Sequence, residues 1–359
     1  MRHEPDRPLD VPEALAPGAW SRALGVLAMA GALLVACSGA APPRAAAPAA
    51  LQRRPFVPRL DGAPILAGVA YGPYREGQSP DGAQPSDAQI LEDLELVSAR
   101  WSMIRVYGAQ GATATVLRLV HERRLPLQVM LGAWIGSEQS APDAGSAPDP
   151  ARVLANDREL DAAIRLANAY PDVVFAVCVG NETQVSWSSH RTPVARLVEL
   201  LRRARGAVRQ PVSTADDFSF WTQPESAVVG REIDFLVLHA YAMWNRQTLD
   251  DAVPWTARQV EAVRAAHPGV PVLLGETGWA TRMHPSGDAA RQIIGTAGEA
   301  EQARFYREFT SWARGESQPF MLFEAFDEPW KGGPHPDEVE KHWGLFRVDR
   351  TPKPALLGD

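Results

Sequence analysis

The chain has 359 residues, 36 Lys and Arg against 43 Asp and Glu, a net charge of -7 and 45% hydrophobic residues. With no basic surplus to neutralise phosphates, nucleic acid is not expected as a partner. Leu, Val, Ile and aromatics recur throughout, which argues against a disordered chain. The length suits one α/β barrel or two smaller domains.

The first segment reads as an address. Residues 23–36 form one apolar run behind Arg22. The run is shorter than the roughly 20 residues that a membrane span needs, and has the length of a secretory core segment with a basic flank. It closes on Leu34-Val35-Ala36-Cys37, which resembles a bacterial lipobox. That resemblance implies cleavage before Cys37, a lipid on its sulfur and a place in the cell envelope, anchored to a membrane. Plain secretion and an uncleaved anchor are the competing readings. Residues 38–56 are mostly Ala, Pro and Gly and read as a flexible tether. The expected division is therefore a signal at 1–36, a tether at 37–57 and one folded domain at 58–359. Cys178, the other cysteine, is expected as a buried, inert thiol on an apolar strand. No His-x-x-x-His or Cys-x-x-Cys pattern occurs, so no metal site is expected.

From residue 65 short apolar runs alternate with helical periodicity. The runs are 65–71, 103–107, 127–134, 173–179, 212–214, 235–241, 272–275 and 320–326. Helices are predicted over 87–99, 113–124, 151–169, 192–208, 254–266 and 298–313, with an ambiguous stretch after 214. Strands alternating with helices predict a parallel sheet, and eight such units fit a single-domain (β/α)8 TIM barrel. A doubly wound sheet would favour a Gly-rich phosphate turn, and none is present.

In a barrel of this kind, chemistry collects at the carboxyl ends of the strands. Those ends carry Tyr71, Arg105, Tyr107, Trp134, Asn181, Glu182, Asp216, Asp217, His239, Tyr241, Glu276, Trp279, Phe326 and Trp330. Carboxylates with aromatics suit a sugar: flat rings stack on pyranose faces, and acids and amides bind hydroxyls. Glu182 after the fourth strand and Glu276 after the seventh should face one cup, the minimum for glycoside hydrolysis. The plainer reading pairs each with an Arg or a helix N-terminus. Asp216 and Asp217 are read as helix caps or structure, and His239 as structural.

Several segments resemble glycoside hydrolase family 17, the β-1,3-glucanases and glucanosyltransferases. They are Gly68-Val-Ala-Tyr71-Gly-Pro, Ile104-Arg-Val-Tyr107-Gly, Val179-Gly-Asn-Glu182, Leu274-Gly-Glu276-Thr-Gly-Trp279 and Glu301-Gln-Ala-Arg304-Phe-Tyr. The resemblance spans roughly residues 62 to 348. It implies Glu182 as general acid/base and Glu276 as nucleophile of a retaining reaction with no cofactor. It further implies Asn181 on the sugar 2-hydroxyl and Tyr241 holding Glu276 ionised. Trp279 and Phe326 are expected to line the subsite of the cleaved sugar. Tyr71, Tyr107, Trp134, Trp244 and Trp330 are expected along the cleft, and Arg105 is expected to orient a carboxylate at the substrate. The leading expectation is a β-1,3-glucan hydrolase, acting as a monomer. A glucanosyltransferase, a silent glucan-binding lipoprotein and a same-clan enzyme for β-1,4-linked glycans are the alternatives. The loop 137–150 reads as a flap, and 281–295 lacks a clear acceptor-site aromatic.

Overall fold

The computed structural model describes residues 52–139 and 147–358. The expected signal, Cys37, the tether as far as residue 51, and part of the expected flap (140–146) lie outside the described residues.

A short antiparallel hairpin, β1 (Arg59–Leu60) and β2 (Ala63–Pro64), precedes the barrel. The alternation then runs β3 (Ala67–Ala70), α1 (Asp87–Ser98), β4 (Met103–Val106), α2 (Thr113–Arg123), β5 (Gln128–Ala133) and α3 (Pro150–Ala169). It continues through β6 (Val174–Asn181), α4 (Val194–Ala207), β7 (Val212–Asp217), the short α5 (Phe218–Trp221) and α6 (Ser226–Gly230), and β8 (Leu236–His239). It ends with α7 (Leu249–Ala266), β9 (Val272–Thr277), the short α8 (Asp288–Gln292), α9 (Glu299–Gly315) and β10 (Phe320–Leu322). Strands β3 to β10 close into a parallel eight-stranded barrel in chain order, with β10 against β3. The expected TIM barrel is the observed fold.

Local chemistry places the helices. Ser86 and Gln89 form a reciprocal capping box that opens α1, and Asp149 caps α3 ahead of Pro150. Helix α7 opens earlier than its proline suggested: it starts at Leu249, with Asp250 and Asp251 in the first turn and Pro254 inside. Acids there complement the exposed N–H groups of the helix start. Strand β10 is shorter than the apolar run 320–326. After Leu322 the chain crosses the barrel mouth, held by Phe323 N–H on Thr277 O (2.8 Å) and Ala325 N–H on Ala70 O (2.9 Å).

Strand alternation sorts the core into two layers. Met103, Met130, Ala176, Cys178, Ala215, Phe235, Val237, Leu273 and Met321 fill the barrel. Ile104, Val129, Val177, Leu236, Leu238 and Leu274 face the surrounding helices. Cys178 is buried and unpaired, and burial pushes its thiol up to about 11.

The floor corrects the expected tether boundary at residue 57, because residues 53–56 already belong to the barrel. Phe56 stacks on Phe235 at 3.8 Å and 10°. Arg54 N–H donates to Asp234 (2.6 Å), and its guanidinium donates to Arg205 O (2.6 Å) and Gln210 O (2.7 Å). Arg53 donates to Gly230 O at 3.0 Å. An aromatic plug and two arginines among Ala and Pro have no periodic spacing that marks them as barrel sequence. Phe56→Ala empties a packed site and should cost about 3–5 kcal/mol. A denaturant midpoint unchanged by that substitution would show that the floor segment is not part of the cooperative unit.

Candidate active site

Two β-bulges aim the site. Along β9 the alternation that turns Leu273 inward and Leu274 outward would send Glu276 out. The register slips by one residue between the Leu238↔Leu274 and His239↔Glu276 pairs. The extra residue re-aims Glu276 into the mouth. Strand β6 does the same: the pairing shifts between Cys178↔Ser213 and Asn181↔Ala215. Gly180 lies within that slip at φ +81, a conformation glycine takes without strain. Glu182 follows at φ 48, left-handed for a residue with a side chain, held by its N–H on Ala215 O at 2.8 Å. Such backbone conformations persist where the surroundings over-determine them.

Arg105 and Tyr107, two residues apart, reach the same mouth from the end of β4. The Arg105 guanidinium sits 4.5 Å from the Tyr107 ring centroid. It donates to Glu276 Oε1 (2.7 Å), and Tyr107 OH donates to the same oxygen (3.0 Å). Tyr241 OH donates to Glu276 Oε2 at 2.6 Å. Burial pushes the Glu276 carboxyl up. The Arg105 guanidinium and the two tyrosine hydroxyls outweigh it, so the group is held below the usual carboxylate range.

His239 links the two carboxylates. Its Nε2 lies 2.9 Å from Arg105 Nη1 and 3.2 Å from Glu276 Oε1, and its Nδ1 lies 2.9 Å from Glu182 Oε1. A guanidinium can only donate, so Nε2 accepts and the proton sits on Nδ1, which donates to Glu182. The second nitrogen of Arg105 donates to Asn181 Oδ1 at 2.5 Å. That turns the Asn181 oxygen inward and leaves its amide nitrogen for a ligand. Ligating atoms of Glu182, His239 and Glu276 lie within 4.8 Å of one another. A cation bound there would face the Arg105 guanidinium, so the arrangement suits proton and nucleophile chemistry better than metal chemistry.

The two carboxylates have unlike surroundings. The Glu276 side chain is 7% exposed, that of Glu182 24%. Behind Glu182, Asp216 accepts from the N–H groups of Gln184 and Asp217, each at 2.9 Å. Burial pushes Asp216 up to about 7. Asp217 caps α5 through Ser219 N–H at 2.8 Å and also borders the cleft.

The cleft above these residues has a volume of about 1160 Å³. Trp134 and Trp330 border it and stand about 42% and 41% exposed; Trp244 borders it as well. Tyr71 contributes to the wall, but its ring is buried and its hydroxyl points to Asp93 at 3.4 Å. Two expected subsite residues lie elsewhere. Trp279 is buried under the mouth, donating to Thr296 O at 2.8 Å and packed on Phe305. Phe326 lies between Tyr71 and Phe346, with the Arg350 guanidinium 4.3 Å above it. Arg105 is buried beneath Glu276, the carboxylate it orients, and does not itself line the cleft.

The places expected for Trp279 and Phe326 are taken by Phe323 and Trp343, which pack edge-on around Tyr241. Trp187, Tyr74, His190 and Glu340 also border the cleft. So does Lys331, which reaches Glu324 (2.5 Å) and Glu328 (2.7 Å). Of these, Trp187 carried a usable signal, five residues past Glu182 in one short loop. The others come from segments whose path over the mouth no periodicity reveals.

A family model described as the BtgE/BtgC glycoside hydrolase domain matches residues 68–344. The chain is 26% identical over 289 residues to a glucan 1,3-beta-glucosidase of Arthroderma benhamiae, covering 76% of this chain and 86% of that one. It is 27% identical over 290 residues to a glucan 1,3-beta-glucosidase of Schizosaccharomyces pombe, covering 76% and 82%. Among solved structures it is similar to an endo-laminarinase from Formosa at a TM-score of 0.69 and 24% identity, covering 79% and 84%. It is also similar to a family 17 beta-1,3-glucanosyltransferase from Rhizomucor miehei at a TM-score of 0.62 and 24% identity, covering 80% and 95%.

Tyr241→Phe removes a donor from the Glu276 anion while keeping the ring. Loss of a hydrogen bond to the charged form raises the carboxyl pKa, so protonation should set in at higher pH than in the native chain. A ¹³C NMR titration of the glutamate side chains reads this directly; an unmoved or lowered midpoint would mean that Tyr241 does not stabilise the anion.

Proposed function

The chain belongs to the BtgE/BtgC glycoside hydrolase family and is a glycosidase of the family-17-like kind, and from that premise we propose that it cleaves β-1,3-glucan with retention. The observation that carries the reading is the pair Glu182 and Glu276, with oxygens within 4.8 Å. Retaining enzymes hold their carboxyl groups about 5–5.5 Å apart, whereas inverting ones leave about 6.5–9.5 Å for a water. The glucosidases of A. benhamiae and S. pombe supply the linkage.

Glu276 is the nucleophile, ionised and aimed by Arg105, Tyr107 and Tyr241. Its attack on the anomeric carbon forms a glycosyl-enzyme as the bond to the leaving oxygen breaks. Glu182 gives its proton to that oxygen, then takes one from water or from an acceptor sugar hydroxyl, which releases the glycosyl unit. Since His239 donates to Oε1, the transferable proton of Glu182 belongs on Oε2. Asn181 offers its amide nitrogen to the sugar 2-hydroxyl, a bond that strengthens in the transition state.

Linear β-1,3-gluco-oligosaccharides, followed by mass and by NMR at the anomeric centre, test this. Glu182→Gln should lower kcat by about 10²–10⁴-fold, Glu276→Ala should abolish turnover, and the first product should keep the β configuration. Products longer than the substrate would place transfer ahead of hydrolysis on the same residues. An α-configured first product, or full activity in Glu276→Ala, would refute the mechanism.

We also propose that the chain is a lipid-anchored envelope protein, tethered through Cys37. The lipobox-like run that ends at Cys37 supports this. Cys37→Ser should move the protein from the detergent-soluble membrane fraction to the aqueous one; equal partitioning of both forms would rule the anchor out.

A further inference from the structure

Beyond the carboxylates, the loop between β6 and α4 holds a large apolar ring in the open. Trp187 is 63% exposed, the largest exposure among the tryptophans of the described residues, yet it borders the cleft. Its loop is rigidly tied. Thr192 N–H donates to Thr183 O (3.0 Å), the Gln184 side chain donates to Thr192 O (2.9 Å), and Gln184 N–H donates to buried Asp216 (2.9 Å). His190 lies 2.7 Å from Asn181 O, which couples the loop to the backbone that carries Glu182.

Trp134 faces the same end of the cleft from β5, its ring 4.7 Å from that of His190. Its backbone N–H is held by buried Glu159 at 3.0 Å, and Glu159 also binds Ala109 N–H (2.5 Å) and Gln110 (2.8 Å). Glu159 thus holds the β4 and β5 loops in one place. A different aromatic pair, Tyr74 edge-on to Trp330 at 5.9 Å, also borders the cleft. Leaving two tryptophans in water on a fixed frame has no packing rationale, and exposed aromatics on a groove mark a binding surface.

We propose that Trp187 and Trp134 form a stacking platform for the glucosyl units beyond the scissile bond, those of the leaving chain and then of an incoming acceptor. This rests on the β-1,3-glucanase reading. Glu182 protonates the leaving oxygen, so the sugar attached to that oxygen runs along the wall that Glu182 itself belongs to. That wall continues into Thr183 to Thr192. A pyranose face offers C–H groups to a flat ring, and a platform on this side raises the residence of an acceptor hydroxyl near Glu182. It thereby favours transfer over release to water, and it supplies the acceptor aromatic that the segment 281–295 lacks.

The test compares the native chain with Trp187→Ala on laminaritriose and laminarihexaose. The readouts are the ratio of kcat/KM for the long substrate to that for the short one, and the ratio of transfer to hydrolysis products at fixed acceptor concentration. Both are internal ratios, so a partly inactive preparation does not alter them. Trp187→Ala should lower each by about three- to tenfold, and Trp187→Phe should restore most of the loss. Equal loss on both substrates with an unchanged product ratio would overturn the platform. So would a length ratio that falls while transfer is undiminished, which would put the ring on the glycone side. If the native chain turns over no β-1,3-glucan, the function and the platform fall together; native turnover with unaltered ratios removes the platform alone.

Discussion

The structure of the mouth follows from one requirement: a carboxylate, Glu276, must stay ionised where almost no water reaches it. Burying a charge costs several kcal/mol after relaxation, recovered only with good geometry and full hydrogen bonding. Arg105 meets that cost from inside the barrel, and Tyr107 and Tyr241 complete the coordination of both carboxylate oxygens. The same guanidinium then dictates its other neighbours. It forces Nε2 of His239 to accept and turns the oxygen of Asn181 inward. One buried cation thus orients Glu276, the imidazole beside Glu182 and the Asn181 amide.

The two glutamates stand in unlike surroundings. Glu276 is enclosed and held by three donors, Arg105, Tyr107 and Tyr241. Glu182 is partly open, takes one hydrogen bond from His239 and stands before Asp216, Asp217 and Glu340. The guanidinium and the tyrosine hydroxyls around Glu276 favour its charged form. The barrel makes this possible because strands far apart in sequence end on one ring.

Much of this is legible in the sequence. The alternation of apolar runs and helical periodicity is a local consequence of how each element buries one face, so it specified the barrel. The runs ended where glycines and carboxylates began, so Glu182 and Glu276 stood out. What stayed hidden involved direction. Strict alternation would send Asn181 and Glu276 outward, and only the register slips in β6 and β9 turn them in. Trp279 and Phe326 look like cleft aromatics because they neighbour functional residues in the chain. Both instead pack under the mouth, while Phe323 and Trp343 surround Tyr241.

The sequence by itself determined the class of fold, the pair of carboxylates and the chemical family, because periodicity, strand ends and short motifs are written locally. Only the tertiary structure decided which aromatics meet the cleft, that His239 lies between the two acids, that Arg105 works from beneath, and that residues 53–56 seal the floor. These are contacts between segments tens to hundreds of residues apart. They depend on bulges, on chain paths across the mouth and on mutual burial, none of which leaves a period in the chain that makes them.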